Sequence, residues 1–231
     1  MTFIQYEFLV LMTLVFTTYW LLPSRRLQNV LLLVVSAVFY GWIHPWFLFL
    51  LYGSAILDYF MGLGMIRFPG RKRLFLMVSM CGNLGLLGYF KYAGFFVENI
   101  ERLFGTRIAE LDIVLPLAIS FFTFQQVAYL VDVYKRRAIE PDFLNYCLFV
   151  SFFPQLISGP IVHHSEMMPQ FRDAARKWFS RKLFLVAIAF IVIGLYKKVV
   201  LANGIAPMAD GVFLAAQTGV PAFWDAWKGA L

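Results

Sequence analysis

A stretch of about 20 consecutive apolar residues can satisfy its backbone in lipid only as a helix, and this chain is largely built from such stretches. They lie near residues 3–22, 27–43, 47–66, 74–97, 113–134 and 183–201, parted by turns that carry proline, glycine and basic side chains. One further run, 143–162, is as apolar but holds Pro154, Gly159 and Pro160. A plain lipid-facing helix would lose backbone hydrogen bonds there that no water replaces. The run is therefore expected to break, dip in and return, covered by protein or facing a wet cavity. The fold class that follows is all-α: a polytopic transmembrane helical bundle with a Pro/Gly-broken re-entrant segment, in one integral-membrane domain over residues 1–231.

Composition excludes a water-soluble domain, since 61% of residues are hydrophobic against a usual apolar share of about 45–50%. The net charge of +7 comes from 20 Lys and Arg in short clusters between apolar runs. No basic face is interleaved with exposed aromatics, so nucleic acid is not an expected partner; membrane lipid is. Clusters of this kind report orientation. If 143–162 returns to the side it left, the clusters at 25–26, 67–73, 135–137 and 172–182 fall on one side and hold fourteen Lys or Arg, against Arg102 and Arg107 opposite. That side is then the cytoplasmic one, with Met1 outside. The first run has neither basic residues before it nor a small-residue cleavage site after it, so it is expected to be a retained span.

Polar residues inside the runs are the candidates for function. Asp58 lies within 47–66, where a lipid-facing carboxylate costs several kcal/mol, so it should face a partner or water. Within 113–134, Ser120, Thr123, Gln126, Tyr129 and Asp132 recur every third residue, and each touches the next across a helical turn. This track winds around the helix and serves either interhelical hydrogen bonding or the lining of a substrate path. Gly82, Gly85 and Gly88 have the spacing of a close helix approach. Cys81 and Cys147 stand alone in apolar runs and read as small buried hydrophobes.

His163 and His164 invite a catalytic reading, because general-base catalysis is best served by a group of near-neutral pKa. They follow the broken run at an expected interface, have no Ser or Cys nucleophile at helical spacing, and as neighbours cannot share a helix face. A structural or headgroup role is the simpler reading, as it is for His44 among Trp42, Pro45 and Trp46. No metal-ligand spacing and no glycine-rich phosphate loop occurs.

The motifs LPLAISFFTFQQVAYLVDVYKRR and FVSFFPQLISGPIV, with SAILDYFMG before them and GLYKKVVLANGIAP after, resemble the membrane-bound O-acyltransferase family. The resemblance is to its bacterial branch that acetylates exported polysaccharides such as alginate, and runs through most of the chain. It implies an acetyl group taken from a cytoplasmic donor, acetyl-CoA, with no permanently bound cofactor. The group would pass through the membrane toward polysaccharide hydroxyls, with periplasmic acetyltransferase partners. Asp58, Asp132, Pro154, Gly159, Pro160, Lys197 and Lys198 map onto family patterns and would shape the tunnel and its re-entrant wall. The family's characteristic histidine lies farther along, so the chain corresponds to an N-terminal half and is expected to be inactive alone. The competing reading is a non-catalytic scaffold or transporter-like pore with Asp58 and Asp132 on its path.

Overall fold

The computed structural model describes residues 6–42, 44–105, 113–136, 140–157, 159–160, 162–172, 179–219, 223–224 and 227. They form helices and turns, without a strand among the described residues, in two units, Met1–Lys177 and Trp178–Leu231.

In the first unit, α1 (Tyr6–Leu21) and α2 (Arg25–Gly41) are separated by a turn at Pro23 and Ser24. Pro23 cannot continue a helix, and the Ser24 hydroxyl starts the next by accepting from the Leu27 amide at 3.3 Å. α2 buries Gln28, Asn29, Leu32, Ser36, Phe39 and Tyr40, an inward stripe at spacings of three and four. α3 (Phe47–Arg67) leads through a 3-10 turn, Pro69–Arg71, into α4 (Lys72–Phe104). α4 does not stop where polar residues begin. Glu98 and Arg102 pair across one turn at 3.4 Å, and the helix ends at Gly105, whose φ of +64° takes the left-handed cap that glycine adopts without Cβ strain.

α4 buries only Ser79, Asn83 and Leu87, one residue per turn. Cys81 falls between them and is exposed, which corrects the expectation that both cysteines are buried; Cys147 is buried. Of the three glycines, only Gly82 approaches a neighbour, where an added Cβ would meet Leu57 at 3.3 Å; Gly85 and Gly88 face open space. Their spacing is that of a packing face, but only its Gly82 end meets α3.

α5 spans Ile119–Arg136. Residues 143–162 then form two short helices, α6 (Phe143–Ser151) and α7 (Phe153–Leu156). α6 buries every residue from Asn145 to Ser151, so it is the element enclosed all round. Phe152 breaks the line with ψ of 108°, and Pro154 sits in the first turn of α7, where a missing N–H costs nothing. The Phe153 amide finds its acceptor in the Ser36 hydroxyl at 3.1 Å. Phe153 also packs on Phe8 and Phe39 at ring distances of 6.2 and 5.6 Å. At the far side of the break the Gly159 amide bonds the Gln155 carbonyl at 2.9 Å, and a Cβ on Gly159 would lie 2.6 Å from the Gln155 backbone. α8 (His164–Arg172) follows.

Among the described residues, three helices are long and apolar enough to cross a membrane: Phe47–Arg67, Pro69–Phe104 and Arg181–Ala216. Phe49, Phe60, Leu74, Phe95 and Phe96 are exposed on the first two, as lipid-facing side chains are.

In the second unit, α9 (Arg181–Leu195) is capped by the Ser180 hydroxyl and passes through a π-helical stretch, Tyr196–Ala202, into α10 (Asn203–Thr218). The helix therefore runs well beyond residue 201, where the sequence suggested a stop. Pro207 lies inside α10, just after the wider π-turns. Of the basic cluster at 172–182, residues 173–178 lie outside the described residues.

Candidate functional site at the basic end of the bundle

The described polar groups gather at two levels of the first unit. Midway along α3, Asp58 is fully buried and accepts from the Ser79 hydroxyl and from Asn83 Nδ2, the latter at 2.7 Å. The Ser79–Asn83 spacing, one α4 turn, presents both donors to one carboxylate. Gln126 is buried on α5 and donates to the Ser54 hydroxyl at 3.1 Å. Neighbouring Gln125, which the track omits, donates to the Phe149 carbonyl at 2.7 Å and ties α5 to α6. Among the described residues the buried Thr123 hydroxyl and Gln126 Oε1 have no hydrogen-bond partner, and Ser120 is half-buried.

The second level is the turn between α5 and α6. Glu140 has no exposed side-chain surface, and it was not singled out from the sequence. Its carboxylate pairs with Arg172 of α8, whose Nε donates at 3.2 Å, and lies 3.4 Å from His164 Nε2. Burial pushes the Glu140 carboxyl up, but His164 and Arg172 outweigh it and hold it below the usual carboxylate range. Its amide donates to the Tyr129 hydroxyl at 3.3 Å, and the adjacent Pro141 carbonyl accepts from Tyr59 at 3.0 Å. A lone Glu in the Ile-Glu-Pro-Asp turn between two apolar runs was the available signal.

This knot brings both ends of 143–162 together. Phe143, at the entry, packs on Tyr59 at 5.0 Å, and His164, past the exit, packs on Tyr129 at 5.0 Å and Phe149 at 5.4 Å. The chain goes into the bundle as far as Phe153 and comes back to the end it left. His163 Nδ1 lies 3.9 Å from Asp132 and is largely exposed, so the two neighbouring histidines meet two carboxylates. Lys72 sits 4.3 Å over the Tyr134 ring, which links the turn before α4 to the end of α5.

A cleft of about 610 Å³ opens at this end. Arg25, Arg26 and Asn29 of α2 line it, with Asp142 and Asn145 at the start of α6 and Arg172 from α8. Lys197 and Lys198 lie in the π-helical stretch of the second unit and are exposed. Pro154, Gly159 and Pro160 border the break. Among the described residues no three His, Cys, Asp or Glu come together as metal ligands would.

Residues 133–217, from the end of α5 through the broken segment to α10, match the family model for membrane-bound O-acyltransferases. The chain is 40% identical to a peptidoglycan O-acetyltransferase of Helicobacter pylori over 87% of its length and 43% of that protein's. It is 34% identical to the probable alginate O-acetylase AlgI of Pseudomonas aeruginosa, over 100% of its length and 45% of that protein's. Residues 133–217 carry the membrane-bound O-acyltransferase family domain. The AlgI of Azotobacter vinelandii is a similar relative, at 32% identity over 47% of its length. The chain thus spans a little under half of these relatives, and no solved structure matches it. With this domain and its apolar helices the chain is part of a multi-pass bacterial membrane protein whose outward apolar faces meet lipid.

Proposed function

We propose that this chain forms part of a membrane O-acetyltransferase of exported polysaccharide. The acetyl group of a cytoplasmic thioester donor, acetyl-CoA, is passed to a glycan hydroxyl: the thioester C–S bond breaks, an ester C–O bond forms, and the hydroxyl proton leaves with CoA as its thiol. The single observation that carries this reading is similarity, over 87% and 100% of this chain and a little under half of theirs, to relatives named as a peptidoglycan O-acetyltransferase and a probable alginate O-acetylase. The chain sits in the inner membrane with Met1 outside, and periplasmic transferases act with it.

The tunnel and its wall involve Asp58, the Ser120–Asp132 polar track and the hairpin bordered by Pro154, Gly159 and Pro160. Lys197 and Lys198, in the π-helical stretch of the second unit, are basic positions that match the family pattern. The catalytic histidine is supplied by the part of the relatives' length that this chain does not span. What supports this is the engagement of the described histidines: His164 is held in the Glu140 knot, His163 lies in the open beside Asp132, and His44 stacks on Phe47 at 5.1 Å. The pore reading needs Asp58 on a path, and its enclosure by Ser79 and Asn83 supports a structural role instead.

The test is the intact reading frame, purified with its partners and given acetyl-CoA and a glycan acceptor. CoA release with ester formation is expected, and it should persist in His163→Ala and His164→Ala. A variant with intact fold but no turnover in either case would make that histidine the base.

A further inference from the structure

The cleft at the basic end has features that the acetyl-transfer reading does not use. Two helices begin at it, α2 at Arg25 and α6 at Phe143. Their caps each satisfy one amide, Leu27 by Ser24 and Leu144 by Asp142 at 2.9 Å. The other first-turn amides have no intrahelical acceptor and leave partial positive charge at both helix starts. Three guanidiniums line the same cleft. Arg25 is held by the Tyr19 hydroxyl at 2.6 Å and Gln28 Oε1 at 3.2 Å, and Arg172 by Glu140. Arg26 makes no hydrogen bond or ion pair among the described residues. Against them stand Asp142, already engaged as a cap, and Glu140, which Arg172 neutralises. The balance is positive.

The floor is unfinished as well. Asn29 is 3% exposed; its Nδ2 donates to Asn145 at 2.8 Å and to the Phe171 carbonyl at 3.2 Å, but its Oδ1 accepts no hydrogen bond among the described residues. Tyr59, Phe143 and Phe171 supply an apolar wall. A volume of about 610 Å³ is in the range of small-molecule sites, about 300–1,000 Å³, and far more than a bare inorganic anion fills. Fixed arginines favour a phosphate, since a guanidinium presents paired donors to its oxygens and little side-chain entropy is left to lose.

We propose that this cleft binds a phosphate ester, its anion held by Arg25, Arg26 and Arg172 between the starts of α2 and α6 and its organic part lying on Tyr59, Phe143 and Phe171. An anionic lipid headgroup and the phosphates of a coenzyme A donor share this chemistry. The site itself does not depend on the acetyl-transfer reading; only occupation by coenzyme A would join the two.

The experiment uses the intact reading frame purified in neutral detergent, with native mass spectrometry of bound phosphatidylglycerol and calorimetric titration of coenzyme A. Arg26→Gln is the informative variant because Arg26 holds no other part of the fold. Arg71→Gln, basic but outside the cleft, is the control. At least one probe binds the wild type, weakens about tenfold in Arg26→Gln, as loss of a charge-assisted contact predicts, and changes less than twofold in Arg71→Gln. Phosphatidylglycerol alone identifies a headgroup site, and coenzyme A identifies a donor site. Absence of binding by both probes, or equal weakening by the two variants, would overturn the proposal.

Discussion

The amide of Phe153 donates to the hydroxyl of Ser36 over 3.1 Å, joining the tip of the hairpin to a helix 117 residues earlier. Both groups are buried, so the bond anchors the interrupted backbone where no water can replace it. Ser36→Ala leaves a buried N–H without an acceptor and is expected to cost about 1–3 kcal/mol. Phe153→Ala, which empties the space against Phe8 and Phe39, is expected to cost about 3–5 kcal/mol. Thermal melts of the intact protein in detergent check the order. A Ser36→Ala melt equal to wild type would remove the anchor.

Asp58 tests whether a buried carboxylate is structural. Asp58→Leu strands the donors of Ser79 and Asn83 and is expected to lower stability by about 3 kcal/mol or more, whereas Asp58→Asn keeps an oxygen facing them and costs less. Equal melts for the two variants would show that Asp58 is not held by these bonds.

Glu140 sets a pH dependence. A carboxyl held below its usual value in the folded state contributes stability that is present above the unfolded value, about 4.3, and is lost as pH falls through the lower, folded value. The tie between α8 and the turn at 140 should therefore persist at neutral pH and loosen in acid. Hydrogen exchange of 164–172 should rise over that acid window in wild type. In Glu140→Gln it should be already raised at pH 7 and flat with pH; a flat wild-type profile would contradict this.

Glycine positions separate packing from spacing. Gly159→Ala drives a Cβ against the backbone of Gln155 and should unfold or displace the hairpin, while Gly88→Ala meets nothing within 4 Å. As a helix-interior change, the latter should stabilise by roughly 0.5–1 kcal/mol. Expression level and melting temperature of the pair report both effects.

Those contrasts show what a one-dimensional pattern holds. The interruption at 152–162 was legible because Pro154, Gly159 and Pro160 act locally, and the burial of Asp58 followed from the cost of charge in lipid. The length of α4 and of the helix beyond Ala202 was not, since polar residues and glycines need not end a helix whose hydrogen bonds continue. Glu140 was missed because its importance comes from Arg172 and His164, 32 and 24 residues away in the chain and adjacent only after folding. The cleft was hidden for the same reason, its floor being the contact of Asn29 with Asn145.

The central claim is that residues 143–162 enter and leave at one end, so that α8 lies on the same side of the membrane as the turn before α4. Single cysteines at Gln170, exposed on α8, and at Gly70, in that turn, can be labelled with an impermeant maleimide in intact cells carrying the full reading frame, with Cys81 and Cys147 replaced. Trp46, exposed at the start of α3, serves as the opposite-side marker. The account predicts that Trp46→Cys is labelled from outside while Gln170→Cys and Gly70→Cys are both protected until the membrane is permeabilised; labelling of Gln170→Cys from outside with Gly70→Cys protected would contradict it.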